Sequence, residues 1–107
     1  MTKARHIAVM NYLIAEGGLP YVRPVDRSVF GQPEGTALAL PPPFESAVVV
    51  GVVRYGLRAW LVDPRRKRGR LLIHRQRHEH HLDDLVVEMT LRDLAALLRP
   101  LYMKEDP

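Results

Sequence analysis

Apolar positions in the first sixteen residues recur at helical spacing. Ile7, Met10 and Ile14 fall on one stripe and Gly17-Gly18 supplies a stop signal, so Thr2 to Glu16 is predicted to be a helix. Ala8, Val9, Tyr12, Leu13 and Ala15 are also apolar or aromatic, which leaves few polar positions around the circumference. A helix of that kind is covered on more than one side. In so short a chain the expected cover is a partner, a second copy included, with Ile7, Met10 and Ile14 as the interface residues.

Leu19 to Phe44 holds six of the nine prolines, Pro41-Pro42-Pro43 among them, and the turn-like stretch Gly31-Gln32-Pro33-Glu34-Gly35. Such residues punctuate rather than pack. Between them Tyr21-Val22-Arg23 and Thr36 to Leu40 read as short edge strands, where flanking prolines are tolerated. From Ser46 the pattern changes to a β-prone run, Ala47 to Arg54, followed by Tyr55-Gly56, which reads as a two-residue hairpin turn. That loop pairs Val50 with Leu61 and sets Trp60 opposite Gly51, the largest side chain over the smallest.

A third strand is expected over Arg70 to Arg75, after the loop Pro64 to Gly69, and a fourth over Leu85 to Met89. Thr90-Leu91-Arg92-Asp93 reads as a capping box. It opens a last helix with Leu91, Leu94, Ala95 and Leu98 on one face, which Pro100 is expected to end or kink. Residues Met103 to Pro107 read as a frayed tail. The expected fold is one α+β domain over residues 1–107: an N-terminal helix, a mainly antiparallel twisted sheet or small partly open barrel of 4–6 strands, and a C-terminal helix. In element order alone the chain resembles Sm-like and other small-barrel folds, which bind RNA and, in protease-adaptor relatives, hold peptides.

Composition narrows the class without naming a function. The longest apolar run, Ala47 to Val53, is far short of the roughly 20 residues that span a bilayer, so no membrane role is expected. Asn11, Glu16 and the lack of a small-residue cleavage site argue against a signal peptide. The absence of cysteine removes thiol catalysis and thiolate metal sites and agrees with a cytoplasmic setting. Arginine outnumbers lysine 13 to 3. With nine prolines, that bias reads as the mark of a GC-rich or heat-adapted, thermostable source.

Charge is unevenly spread. Between Arg54 and His81 nine basic residues (Arg54, Arg58, Arg65, Arg66, Lys67, Arg68, Arg70, Arg75 and Arg77) face two acids, a balance of +7 against −3 for the rest of the chain. On the predicted hairpin they form an arginine-rich surface bearing Tyr55 and Trp60, suited to phosphates by charge and to bases by stacking. The plain alternative is a solvated loop, because charge steers without conferring specificity.

His74, His78, His80 and His81 lie within eight residues, beside Asp83 and Asp84. On a continued strand His78 and His80 share a face, and with Asp83 they form a candidate zinc set. The run departs from the His-x-His-x-Asp-His pattern of metallo-β-lactamase-like hydrolases, since Leu82 occupies the aspartate position. Arg54, Tyr55, Arg58, His74, Arg75 and His78 are also the residue types that small toxin-like endoribonucleases use, but the pair of N-terminal helices expected of them is missing. No dinucleotide, P-loop or nucleophile-elbow motif occurs, and no cofactor is expected.

Three readings follow in order. The first is a non-enzymatic protein that docks its arginine-rich hairpin on an anionic partner, nucleic acid before an acidic protein surface. The second is a protein-interaction or assembly module that uses the apolar first helix, and the third is a small ribonuclease-like or histidine-metal enzyme.

Overall fold

The computed structural model describes residues 3–30, 35–65, 69–75 and 81–103. The first helix, α1 (Lys3–Ala15), leads into a sheet of five strands in sequential order: β1 (Arg23–Asp26), β2 (Thr36–Ala39), β3 (Ser46–Val50), β4 (Arg70–His74) and β5 (Val86–Glu88). A second helix, α2 (Tyr55–Leu61), joins β3 to β4, and a third, α3 (Leu91–Tyr102), follows β5. Three of the four strand pairings are antiparallel, and β3 with β4 is parallel. The class is α+β as expected, and the sheet is open rather than barrel-like, with β1 and β5 as its edges.

The predicted hairpin at Tyr55-Gly56 is absent. Those two residues open α2, and Trp60 packs from that helix into the core rather than across a strand from Gly51. The physical reason is a competition between two readings of one apolar stretch. Leu57, Trp60 and Leu61 stand at i, i+3 and i+4, and all three are buried by α2 on the sheet. Every residue of β3 is buried, which is the mark of a strand covered on both faces, and such strands read as unbroken apolar runs. The run stops being a strand at Val50, and Val52 is exposed.

Alternation along the strands divides the core in two. Ala47 and Val49 of β3, with Leu71 and Ile73 of β4, join Val9, Val22, Leu38 and Leu40 beneath α1. Val48, Val50 and Leu72 face the other way, against Leu57, Trp60 and Leu61 of α2. Two smaller expectations also shift. β2 is an interior strand rather than an edge, and β1 starts at Arg23, with Pro24 tolerated because β1 is the edge.

Two local devices fix the parallel pair. Gly69, just before β4, has φ +94°, and a Cβ there would sit 2.5 Å from the Phe44 Cα, so only glycine lets the returning chain lie against Phe44 and Glu45. Its carbonyl accepts from the Glu45 N–H at 3.0 Å. Along the other edge of β3, β2 pairs only with Ser46 and Ala47. Beyond them the Val49 N–H donates to Nε2 of the buried His6, at 3.3 Å.

That bond assigns the acceptor nitrogen of His6. Replacing His6 with phenylalanine leaves the buried Val49 N–H unmet, and we expect a loss of about 1–3 kcal/mol in urea unfolding. His6→Gln, which retains an acceptor oxygen, is expected to lose less. Equal losses would mean that ring packing, and not the hydrogen bond, is what His6 provides.

Candidate interaction surfaces

The parallel pairing decides where the basic residues go. Ser46 lies opposite Arg70 and Val50 opposite His74, so the chain leaves both strands at one end of the sheet and enters both at the other. Arg54 and Arg75 therefore emerge at the carboxyl end, while Arg65 belongs to the return loop at the amino end. The strand between them spans roughly 13 Å. The described members of the +7 segment, continuous in sequence, are divided in space.

Acids from elsewhere in the chain, and Asp63 from within it, then meet the described arginines. Arg70 is buried: its Nε lies 3.5 Å from Glu45 Oε1, its Nη1 donates to the Trp60 carbonyl at 3.3 Å, and its guanidinium stacks 4.8 Å from the Trp60 ring centroid. Arg58, one turn into α2, reaches across the sheet to Glu88 Oε1 at 3.1 Å, and the buried His74 places Nε2 2.7 Å from the same oxygen. Arg65 pairs with Asp63 at 3.3 Å, and the Arg65 backbone N–H, 2.9 Å from Asp63 Oδ1, does most to hold that exposed carboxyl below the usual aspartate range. Asp83 and Asp84, in the short turn of 3₁₀ helix before β5, come to the carboxyl end as well. Among the described residues, Arg54 and Arg75 alone of the predicted contact set are exposed and outside any ion pair.

Arg66, Lys67, Arg68, Arg77, His78 and His80 lie outside the described residues. Among the described residues no group of three metal-ligating side chains forms. The three residues expected to form an N-terminal interface are divided: Met10 packs against the core beneath α1, whereas Ile7 and Ile14 are exposed on its flank.

The surface that sequence reasoning missed belongs to α3. Its capping is as expected, with the Thr90 hydroxyl accepting from the Asp93 N–H at 3.2 Å. The helix runs through Pro100 to Tyr102, and the Met103 N–H still finds the Arg99 carbonyl at 2.8 Å. Its orientation is inverted. Asp93 is buried and, with Ala96 and Leu97, faces Phe44, Gly69, Leu71 and Met89 across a cavity of about 100 Å³. The leucine stripe points outward: Leu91 is 81% exposed, Leu101 69% and Tyr102 80%, and Leu94, Leu98 and Met103 are exposed beside them. An open groove of about 580 Å³ follows the flank of this stripe between Arg92 and Arg99.

No protein-family model, no curated protein and no solved structure matches the chain. Among the described residues, no helix is long and apolar enough to cross a membrane.

The Glu88 cluster yields a stability test. Arg58 is 56% exposed and returns to water when freed, so Arg58→Ala is expected to cost no more than about 0.5 kcal/mol. Glu88→Ala removes the carboxylate that both Arg58 and the buried His74 ring approach, and is expected to cost more, about 1 kcal/mol. Denaturant unfolding of both variants reads the difference, and equal costs would mean that His74 does not depend on Glu88.

Proposed function

We propose that the protein is an interaction module that presents the outward face of α3 to another protein. The observation that carries this reading is the inversion of α3, which turns Asp93, Ala96 and Leu97 to the sheet and the stripe of Leu91, Leu94, Leu98 and Leu101 outward. By the exposures of these side chains, the stripe offers apolar surface on the order of 600 Å², at the upper end for the largest patch on a typical monomer. Its anchors at Leu91, Leu94, Leu98 and Leu101 have the spacing with which single helices are recognised.

Because these leucines lie outside both core clusters, aspartate at Leu94 and Leu98 is expected to change the unfolding free energy by only about 0.5 kcal/mol per site. The same change is expected to abolish partner retention in affinity capture from the native host. A captured set unchanged by Leu94→Asp and Leu98→Asp would refute the reading.

An anionic partner is the second reading, now confined to the carboxyl end of the parallel strands. It is favoured by Tyr55, which is 88% exposed at the start of α2 and follows the exposed Arg54. An exposed ring beside a guanidinium suits a stacked base and its phosphate. This reading predicts that a fluorescent 20-nucleotide single strand binds with an affinity that falls steeply with salt and is lost on Arg54→Glu with Arg75→Glu. No change in anisotropy at low salt would remove it.

A further inference from the structure

We propose that α3 is a detachable strap: it lifts from the sheet and reseats as a unit while α1, α2 and the five strands stay folded, and each opening uncovers an apolar seat at Phe44, Leu71 and Met89. The strap belongs to the free chain, whichever partner its outward face meets.

Burial is the first ground. Of the twelve residues of α3 only Asp93 is buried; Ala96 and Leu97 are half-buried, and the rest are exposed. The other two helices are seated more deeply. α2, with seven residues, buries Leu57, Trp60 and Leu61, and α1 buries His6 and Val9 and packs Met10 and Leu13 on the core. Apolar burial is what holds a helix on a sheet, and α3 brings chiefly Ala96 and Leu97 to that contact.

The seat is the second. Ala96 and Leu97 stand over a cavity of about 100 Å³ bounded by Pro43, Phe44, Gly69, Leu71 and Met89. Atoms that line a void forgo the dispersion contacts of a packed interior, so the apolar surface that α3 does cover holds it weakly.

Length is the third. A helix of twelve residues is marginal in water without a surface to lie on, and Pro100 removes one of its hydrogen bonds. The bond from the Asp93 N–H to the Thr90 hydroxyl closes the first turn of α3 on itself and does not tie it to the sheet. Lifting α3 therefore also melts it. The strands left behind keep their covers, because α1 and α2 occupy the two faces of β3 and β4. A segment with little buried apolar surface beside a core that stays complete without it is the condition for sub-global opening.

Hydrogen exchange on the unaltered chain reads the opening. The amides of residues 94–98 are expected to show protection, yet to exchange at least 100-fold faster than those of Leu72 and Ile73. Their rate should not change with urea below the unfolding transition, whereas the strand amides accelerate, because local opening exposes little surface. Leu97→Ala is expected to quicken exchange in α3 about 10-fold and to leave Leu72 and Ile73 unaltered. The chain has no cysteine, so a single introduced thiol reports the seat. Leu71 borders the cavity and Ile73, on the same face of β4, does not. A thiol reagent should label Leu71→Cys at least 10-fold faster than Ile73→Cys under native conditions.

Exchange of residues 94–98 at the rate and urea dependence of Leu72 and Ile73 would overturn the strap and make α3 part of one cooperative unit. Fully unprotected amides there would overturn it as well, since a helix that never seats has nothing to open. Equal labelling of the two cysteine variants would overturn the uncovered seat. These measurements need no partner, so failure of the strap leaves the interaction-module reading to the capture experiment with Leu94→Asp and Leu98→Asp.

Discussion

The parallel pairing of β3 with β4 dictates where the helices and the buried polar side chains must go. Parallel neighbours cannot be joined by a tight turn, so the chain between them must cross one face of the sheet, and it does so as α2. With α1 on the opposite face, both strands lose contact with water along their whole length. Every side chain that β4 turns toward α2 is then buried whatever its chemistry, Arg70 and His74 included. A buried charge is tolerated only with partners, and Glu45 supplies one for Arg70, while Glu88 lies beside His74. Residues that a linear reading assigns to a contact surface thus become part of the scaffold, because the topology places them where leaving them unpaired costs more than pairing them.

The same occupancy of both faces explains why α3 is left outside. The chain emerges from β5 at the amino end of β4, where Gly69 and Phe44 already pack backbone against backbone. The seat that remains is shallow. It accepts Ala96 and the capped first turn around Asp93, and even so a small cavity persists beneath the helix. The strongly amphipathic helix therefore rests on its less apolar side.

Much of this architecture was legible in the sequence, and the failures are instructive. The two terminal helices, the strands at β4 and β5 and the Thr90 cap follow from periodicity and capping chemistry, which are local. The hairpin failed because a β-branched run and a Tyr-Gly pair carry a local turn signal, while the helical spacing of Leu57, Trp60 and Leu61 becomes decisive only when a sheet face is there to receive it. The described part of the basic run is divided and partly paired for a related reason. A charge balance along the chain cannot see Glu45, Glu88, Asp83 and Asp84 arriving from outside the segment. The stripe on α3 was visible as a stripe, but amphipathicity gives a direction on the helix and not the side on which the protein lies.

That last distinction bears on function. Helix formation at Leu91, Leu94, Leu98 and Leu101 does not require leucine, since lysine, glutamine or glutamate sustain a helix nearly as well and keep an exposed face soluble. Folding does not call for apolar side chains there either, because neither core cluster includes them. A row of leucines in water is a liability for association, and natural surfaces avoid it unless something covers it. The identity of these residues is what the proposed contact with a partner would explain, whereas the arginines paired with Glu45, Glu88 and Asp63 are explained by the fold itself. For the described surface, the weight of a functional reading shifts from charge to the apolar face of α3.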